Sequence, residues 1–434
     1  MNEDHFRATK EGSNLGQALL MVGFAIPLDL MAELAAKDQY PAIQGHNHQW
    51  AIIRGIEKAA GRSMDLLSFA GISDYPRHPC LYCSGGRWQH APKARDVWLP
   101  FVNVFPLKLL GRFVVMALAI SSWLWRNRKS KHRIVFLYAT QCSQLYAMLL
   151  ATLLIHARKF VIMTDPPSVD LKGEGRLLWL ARRMDRQLQR LALPRVDGLI
   201  VLAEPLATDY APGVPYEVVE GIAPDIGSSD PAVDFQQSGS MRASSCSIMY
   251  AGTLNAEYGV ALLLDSLPFL PKNVELWIFG KGPFESEVRA RAAEDPRVKY
   301  FGFCPNEEVR RMARQATALI NPRPSNGWFT RYSFPSKLLE YLSSGSVVMS
   351  TRLKTIPREY EPYVIWIDDE TPRGIAQAVQ VLQEMDERQR SELGAAGARF
   401  VQTQKSEPIQ GVRIWRFVTN VIGCDRCNGG ERHA

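Results

Sequence analysis

The chain has 434 residues, two to three times the length of an ordinary single domain, so two domains of about 200 residues each are expected. Hydrophobic residues make up 46% and charged residues 22%, which excludes a disordered or collagen-like chain. The net charge of +7 is unevenly placed: residues 106–195 hold 16 basic and 4 acidic side chains, net +12, leaving the rest of the chain at −5. A local cationic patch of this kind must meet nucleic acid, a phosphorylated substrate or an anionic membrane surface.

In chain order, the N-terminus is polar and carries Glu3, Asp4 and Glu11 where a targeting signal would be basic and then apolar, so a cytoplasmic location is expected. Seven cysteines, an odd number at low density, suit a reducing compartment better than a disulfide framework. Short apolar runs then alternate with longer amphipathic stretches, the pattern of parallel strands joined by crossover helices. In the first half the expected strands are 19–24, 66–69, 134–137, 160–163, 198–202 and 217–219. In the second half they are 248–250, 275–279, 298–301, 318–320, 347–350 and 364–367, followed by helices over 373–385, 387–403 and 408–421.

Between Val97 and Thr164 there is no Asp or Glu. The apolar run Phe113–Trp125 has 13 residues, fewer than the roughly 20 that span a bilayer, and a basic stretch from Arg126 to Arg133 follows it. Two readings stay open: an interfacial helix on anionic lipid, or a buried crossover helix with a solvated end. Arg182, Arg183, Arg186 and Arg190 follow at helical spacing and would present one cationic face. No nucleic-acid-binding module accompanies these cations, so nucleic acid is not expected as a partner. Residues 223–247, rich in Pro, Asp, Ser, Gln and Gly, read as a linker. The expected domains are therefore 1–235, a linker at 236–247, 248–405, and a closing helix and tail at 406–434.

Three loops after strands carry the chemistry of the second half. Gly252-Thr253 follows the strand 248–250, where a small residue lets backbone approach a ligand and free N–H groups at the next helix favour an anion. Gly280-Lys281-Gly282 follows a second strand and would present the lysine on a tight turn. The third segment runs from Ile320 to Gly345: a strand end, a long polar and aromatic loop with Arg323, Arg331 and Tyr332, then Ser333-Phe334-Pro335-Ser336-Lys337 opening a helix that carries Glu340. Pro335 suits a first turn and Ser333 can cap it, so amides would point at an anion such as phosphate. Lys337 and Glu340, three apart, share a helix face, and a carboxylate there can accept both hydroxyls of a ribose. Spacing thus suggests nucleotide diphosphate recognition by Glu340, the helix start and the basic residues Arg323, Arg331 and Lys337.

At Asn321-Pro-Arg323, Phe334-Pro-Ser-Lys337 and Glu340-Tyr-Leu-Ser-Ser-Gly345 the sequence resembles glycosyltransferase family 4, retaining enzymes of the GT-B fold, and among them the bacterial exopolysaccharide and capsule members. The resemblance implies an α/β chain of two doubly wound Rossmann-like domains facing a cleft, with the last helix crossing back to the first domain. It implies a nucleotide-diphosphate sugar donor on the second domain and a lipid-linked or glycan acceptor on the first. It also implies substitution with retention, without cofactor or metal. Glu340 matches the ribose-binding Glu of the family's paired glutamates; the other position is Tyr332 here, and the basic pair common after Gly252 is absent. Lys281, Arg323 and Arg331 are then the candidates to neutralise the diphosphate, and Asp165 is the candidate on the acceptor side. With the donor assigned to the second domain, the basic segment 106–133 is left to hold a cytoplasmic enzyme peripherally on the membrane face.

Two other functions stay open: a nucleotide-sugar epimerase of the same fold, and a non-catalytic partner subunit, which Tyr332 and the missing basic pair would suit. The pairs Cys80/Cys83 and Cys424/Cys427 could also supply a four-cysteine zinc site.

Overall fold

A computed structural model describes residues 16–39, 42–167, 176–223 and 246–428, the side chains of 176–178 and 424–428 excepted. The chain forms two compact units: unit 1 reaches Val219 and takes in the segment from Glu407 onward, and unit 2 is Glu220–Ser406. Residues 236–245 of the expected linker lie outside the described residues.

Unit 1 runs β1 (Gln17–Gly23), α1 (Leu28–Ala36), α2 (Ile43–Ala60), β2 (Asp65–Ser68), β3 (Tyr82–Cys83), β4 (Gly86–Trp88), β5 (Asp96–Trp98), β6 (Phe101–Val102), α3 (Leu107–Arg126), β7 (His132–Tyr138), α4 (Cys142–Leu154), β8 (Arg158–Met163), α5 (Arg176–Ala192), β9 (Gly198–Val201), α6 (Glu204–Thr208) and β10 (Tyr216–Val218). Its sheet has the order β10-β9-β8-β7-β1-β2-β5-β4. All six expected strands are present. The apolar runs of β1, β7 and β9 are buried on both faces, as central parallel strands require, whereas β10 is a partly buried edge strand. Four short strands were not expected. The hairpin β4–β5 is antiparallel and is set by close packing, since a Cβ on Gly86 would lie 2.0 Å from the Trp98 ring.

Unit 2 runs β11 (Cys246–Ala251), α7 (Val260–Asp265), β12 (Val274–Phe279), α8 (Glu285–Glu294), β13 (Val298–Gly302), α9 (Asn306–Gln315), β14 (Ala318–Asn321), α10 (Ser336–Ser343), β15 (Val347–Thr351), β16 (Ile365–Ile367), α11 (Pro372–Glu384) and α12 (Glu387–Gln404). The six parallel strands have the order β13-β12-β11-β14-β15-β16. That is the doubly wound order, with its topological switch between β11 and β14. In unit 1 the corresponding reversal lies between β1 and β7.

The closing helix α13 (Glu407–Asn428) packs on α2, as the resemblance implied. Gly55 and Gly411 put the two backbones in direct contact, since a Cβ on Gly411 would lie 2.1 Å from the Gly55 carbonyl oxygen. Arg54 closes one end of the pair by donating to Glu407 at 2.6 Å.

Two expectations about the basic segment are corrected. The apolar run belongs to the 20-residue helix α3, long and apolar enough by composition to cross a membrane. Lys108 and Arg112 break the run in sequence but face inward. The four arginines of α5 do not share one solvent face either: Arg183 and Arg190 are exposed, and Arg182 and Arg186 turn partly inward.

Near the β4–β5 hairpin, His90 Nδ1 meets Asp96 Oδ2 at 2.7 Å and Nε2 meets Glu57 Oε1 at 3.0 Å. Burial opposes the imidazolium, but Asp96 and Glu57 outweigh it and raise the pKa to about 9. A folded pKa above the unfolded 6.5 gives stability that is fully present below pH 6.5 and is lost as pH rises through 9, up to about 3 kcal/mol. The difference in urea midpoint between wild type and His90→Gln should therefore be largest near pH 6 and shrink by pH 9.5. A gap that does not change with pH would refute the charged state.

Candidate functional site

In a doubly wound sheet, ligands bind outside the carboxyl ends of the strands at the switch point. In unit 2 that place is formed by the loops after β11 and β14, flanked by the loop after β12, and backbone contacts lock all three together. Gly280 has φ 129° and a Cβ there would lie 1.9 Å from the Gly252 carbonyl oxygen, so only glycine fits. Gly259, φ 84°, leaves room for the Pro322 carbonyl, which a Cβ would meet at 2.0 Å. Leu254 N donates to the Lys281 carbonyl at 2.9 Å, and Tyr250 Oη to the Thr253 carbonyl at 2.9 Å. Tyr341, on α10, bonds both the amide and the carbonyl of Ala251. Gly252, Thr253, Gly280, Lys281 and α10 thus form one rigid rim.

Arg323, two residues after β14, is the most constrained cation on this rim. Its guanidinium lies 4.4 Å from the Phe329 ring centroid and 5.3 Å from that of Tyr258, and Nη2 donates to Ser333 Oγ at 3.0 Å. Its Nε is buried without a hydrogen-bond partner. Burial lowers its pKa, opposed by the nearby Tyr258 and Tyr250. Its backbone is fixed as well, since Thr351 Oγ1 donates to its carbonyl at 2.5 Å. Arg331 is exposed and lies over the Tyr332 ring at 5.8 Å, and the Tyr332 ring is tilted by 57° against Trp328 at 6.3 Å.

Ser333 is not the helix cap. Helix α10 begins at Ser336 with Pro335 in the N-cap position and no side-chain cap; Ser333 Oγ instead donates to the Phe329 carbonyl at 3.1 Å while accepting from Arg323. The reason is the 3₁₀ turn over Trp328–Arg331, which presents the Phe329 carbonyl to the hydroxyl. Phe334 and Pro335 are buried, so the helix start is anchored by packing. Lys337 Nζ and Glu340 Oε2 are 2.6 Å apart on an exposed face. The charges of this rim therefore include Lys281, Arg323, Arg331 and Lys337 and the carboxylate Glu340, and Glu370 reaches the loop after β14, accepting from Ser325 N at 2.9 Å. Sequence reasoning missed Phe303, 70% exposed just after β13, whose ring lies 5.4 Å from Lys281 Nζ. An exposed aromatic directly after a strand-ending glycine was the available signal.

Unit 1 has its own polar cluster at its own switch point. A Cβ on Gly23, at the end of β1, would lie 2.3 Å from Gln49 Nε2, and Gln49 Oε1 accepts from Phe24 N at 2.8 Å. His48 Nδ1 and Tyr138 Oη are 2.9 Å apart, and burial pulls the His48 pKa down to about 4, so the ring is neutral at physiological pH. Burial, and then the charge of Asp165, push the Tyr138 phenol upward. Asp165 itself is exposed after β8 and accepts from Thr164 Oγ1 at 2.8 Å. Of this cluster the sequence reading named only Asp165. His48 and Gln49 lie on a helix far from it in sequence.

Among the described residues no group of three or more His, Cys, Asp or Glu side chains is arranged so that it could hold a metal ion. Cys80 and Cys83 have their sulfurs 3.6 Å apart, and the Cys424 and Cys427 side chains lie outside the described residues.

Residues 245–384 match the family model described as glycosyl transferases group 1. No curated protein sequence matches the chain. Solved structures of similar fold include sucrose-phosphate synthase from Thermosynechococcus elongatus, with TM-score 0.63 and 13% identity over 94% of this chain and 100% of that one. Anabaena Alr3699/HepE in complex with UDP has TM-score 0.57 and 12% identity, covering 94% and 100% of the two chains. The lipopolysaccharide outer core galactosyltransferase WaaB has TM-score 0.56 and 15% identity, covering 94% and 99%. The fold is that of the GT-B glycosyltransferases, and the matched segment makes unit 2 a group 1 glycosyltransferase domain.

Proposed function

From a GT-B chain whose second unit is a group 1 glycosyltransferase domain, we propose a retaining transferase that moves a sugar from a nucleotide-diphosphate sugar to a lipid-linked glycan acceptor in surface polysaccharide synthesis, on the cytoplasmic membrane face. The observation that carries the donor half is the coincidence of the matched segment 245–384 with the locked rim of Gly252, Gly280, Arg323 and α10. Similar folds have been solved with UDP and UDP-glucose, so uridine nucleotides are the first to try.

In this reading Glu340 accepts the ribose hydroxyls, and Lys281, Arg323 and Arg331 face the diphosphate with the amides at the start of α10. The acceptor oxygen bonds the anomeric carbon on the face the diphosphate leaves. The carbon–oxygen bond to the diphosphate breaks, and the acceptor proton passes to the departing phosphate oxygen. The charge that develops there is met by cations already in place. Tyr332 stands where a carboxylate is usual and offers a hydroxyl to the donor sugar. Asp165 serves the acceptor side. The net +12 of residues 106–195, which the donor does not need, supports a membrane-held acceptor.

A thermal-shift panel of UDP-, GDP- and ADP-sugars on wild type and Glu340→Ala tests the donor site. One nucleotide class should stabilise the wild type, and Glu340→Ala should bind it about 10–100-fold more weakly, the worth of hydrogen bonds to a charged group. A wild type that no sugar nucleotide stabilises would sink the transferase reading. Equal response from both proteins would sink the ribose assignment alone. Release of free sugar-nucleotide isomers without acceptor would point to an epimerase.

A further inference from the structure

Helices α3, α4 and α5 pack side by side in that order, and all three turn large apolar side chains outward. On α3 the inward face carries the apolar Met116, Ile120, Trp123 and Leu124 and, nearer its start, Lys108 and Arg112, only 6% and 4% exposed. Lys108 Nζ donates to the Ile72 carbonyl at 2.9 Å and to Asp74 at 2.6 Å. Arg112 donates to the Ala70 carbonyl at 3.0 Å and lies 4.0 Å from the Phe101 ring centroid. The outward face carries Leu107, Leu110, Val114, Leu118 and Trp125, spaced by three, four, four and seven residues, hence a single stripe; Leu118 is 67% exposed. On α5 part of the polar side turns in: Gln189 is buried and donates to Asp185 at 2.7 Å, and Arg182 and Arg186 are partly buried. Leu180, Met184, Leu188 and Leu191 form the outward stripe, with Met184 58% exposed. Between them α4 ends in Leu153 and Leu154, each 81% exposed.

A soluble helix turns its apolar stripe to the core and its cations to water. Burying lysine and arginine while exposing leucine costs free energy unless the outer medium is itself apolar. The charges around the stripes identify that medium. Helices α3 and α4 contain no carboxylate, and the only one on α5, Asp185, is partly buried. Arg126, Arg183 and Arg190 are exposed on these helices, and Arg128, Lys129 and Lys131 follow α3 directly. Apolar stripes on helices whose exposed charges are all cations match the acyl–headgroup boundary of an anionic bilayer. They do not suit a second copy of the same chain, because a self-complementary contact would bring like charges together.

We propose that the α3–α4–α5 layer of unit 1 inserts its apolar stripes into the interfacial zone of an anionic membrane, so that hydrophobic insertion, assisted by the exposed cations, holds the protein there. The proposal deepens the membrane part of the reading above and is independent of the donor chemistry. The test is flotation of the full-length protein with phosphatidylcholine vesicles and with vesicles containing 30% phosphatidylglycerol, each at 0.1 and 1 M NaCl. Wild type should float with the anionic vesicles and stay partly bound at 1 M salt, because insertion is not screened.

The variant Leu118→Glu/Met184→Glu changes two exposed side chains, so its thermal midpoint should match wild type. Its partitioning should fall at least about tenfold, the worth of one apolar side chain leaving the bilayer. The variant Arg128→Ser/Lys129→Ser/Lys131→Ser should weaken binding mainly at low salt. The proposal is overturned by a wild type that floats with neither vesicle, by complete release at 1 M NaCl, or by a Leu118→Glu/Met184→Glu protein that floats like wild type. It is also overturned by a wild-type dimer in sedimentation that this variant converts to monomer. The sugar-nucleotide thermal shift on the same preparations reads unit 2 separately, so either reading can fail alone.

Discussion

Replacing Arg323 by alanine should lower kcat for sugar transfer, or for slow donor hydrolysis, by about 10²–10³-fold with little change in thermal midpoint. That is the loss seen when one preorganised donor to developing negative charge is removed, about 3–4 kcal/mol of barrier. The magnitude is expected to be high here because the guanidinium is already fixed by Phe329, Tyr258 and Ser333 and pays little ordering entropy on binding. Arg323→Lys should recover only part of the rate, since a lysine keeps the charge but loses the planar fork and the stacking. Single-turnover kinetics with saturating donor would separate this from weaker binding. An Arg323→Ala protein that folds and turns over at the wild-type rate would remove the residue from the chemistry.

The second large effect falls on stability. Lys405 is 2% exposed and its ammonium bridges buried Glu220 and half-exposed Glu359, close to the rings of Tyr360 and Phe400. Glu220 also accepts from Tyr360 Oη at 3.0 Å. Lys405→Met removes the cation and leaves the Glu220 carboxylate buried, which should cost about 3–5 kcal/mol. For a unit of this size that lowers the midpoint by roughly 6–20 °C. The double variant Lys405→Met/Glu220→Gln should regain part of the loss, because no buried charge is then left without its partner. Calorimetry reads both, and a Lys405→Met midpoint within a degree of wild type would show that the bridge is not structural.

The parts of the fold that could be read from sequence are those with a strong local cause. Runs such as Ile248–Tyr250 and Ile134–Leu137 are apolar on both faces, and only a central parallel strand buries both. The short strands β3 to β6 have no such run; tertiary packing of Trp98 over Gly86 makes the hairpin. At the site, the glycines and Arg323 could be placed because tight turns after strands have a recognisable composition. The Ser333 role could not, since whether a hydroxyl caps a helix or meets a carbonyl four residues back depends on the intervening 3₁₀ turn. The inward turn of Lys108 and Arg112 on α3 was also illegible. Periodicity shows that a helix has two faces, and it does not show which face the protein keeps. Lys108 and Arg112 face inward because the carbonyls of Ile72 and Ala70 and the Phe101 ring receive them.

The Gly55–Gly411 contact bears on how the molecule is made. Unit 1 is discontinuous: its α2 is synthesised early, and the helix that covers it comes after all of unit 2. A nascent chain therefore completes unit 2 while the α2 face still waits for α13, and unit 1 closes only when residues 407–428 have left the ribosome. A fragment ending at Val219 lacks that helix and would expose the bare Gly55 face. Unit 2 is by contrast one continuous stretch, and attempts to produce the first unit alone should splice residues 407–428 back onto it.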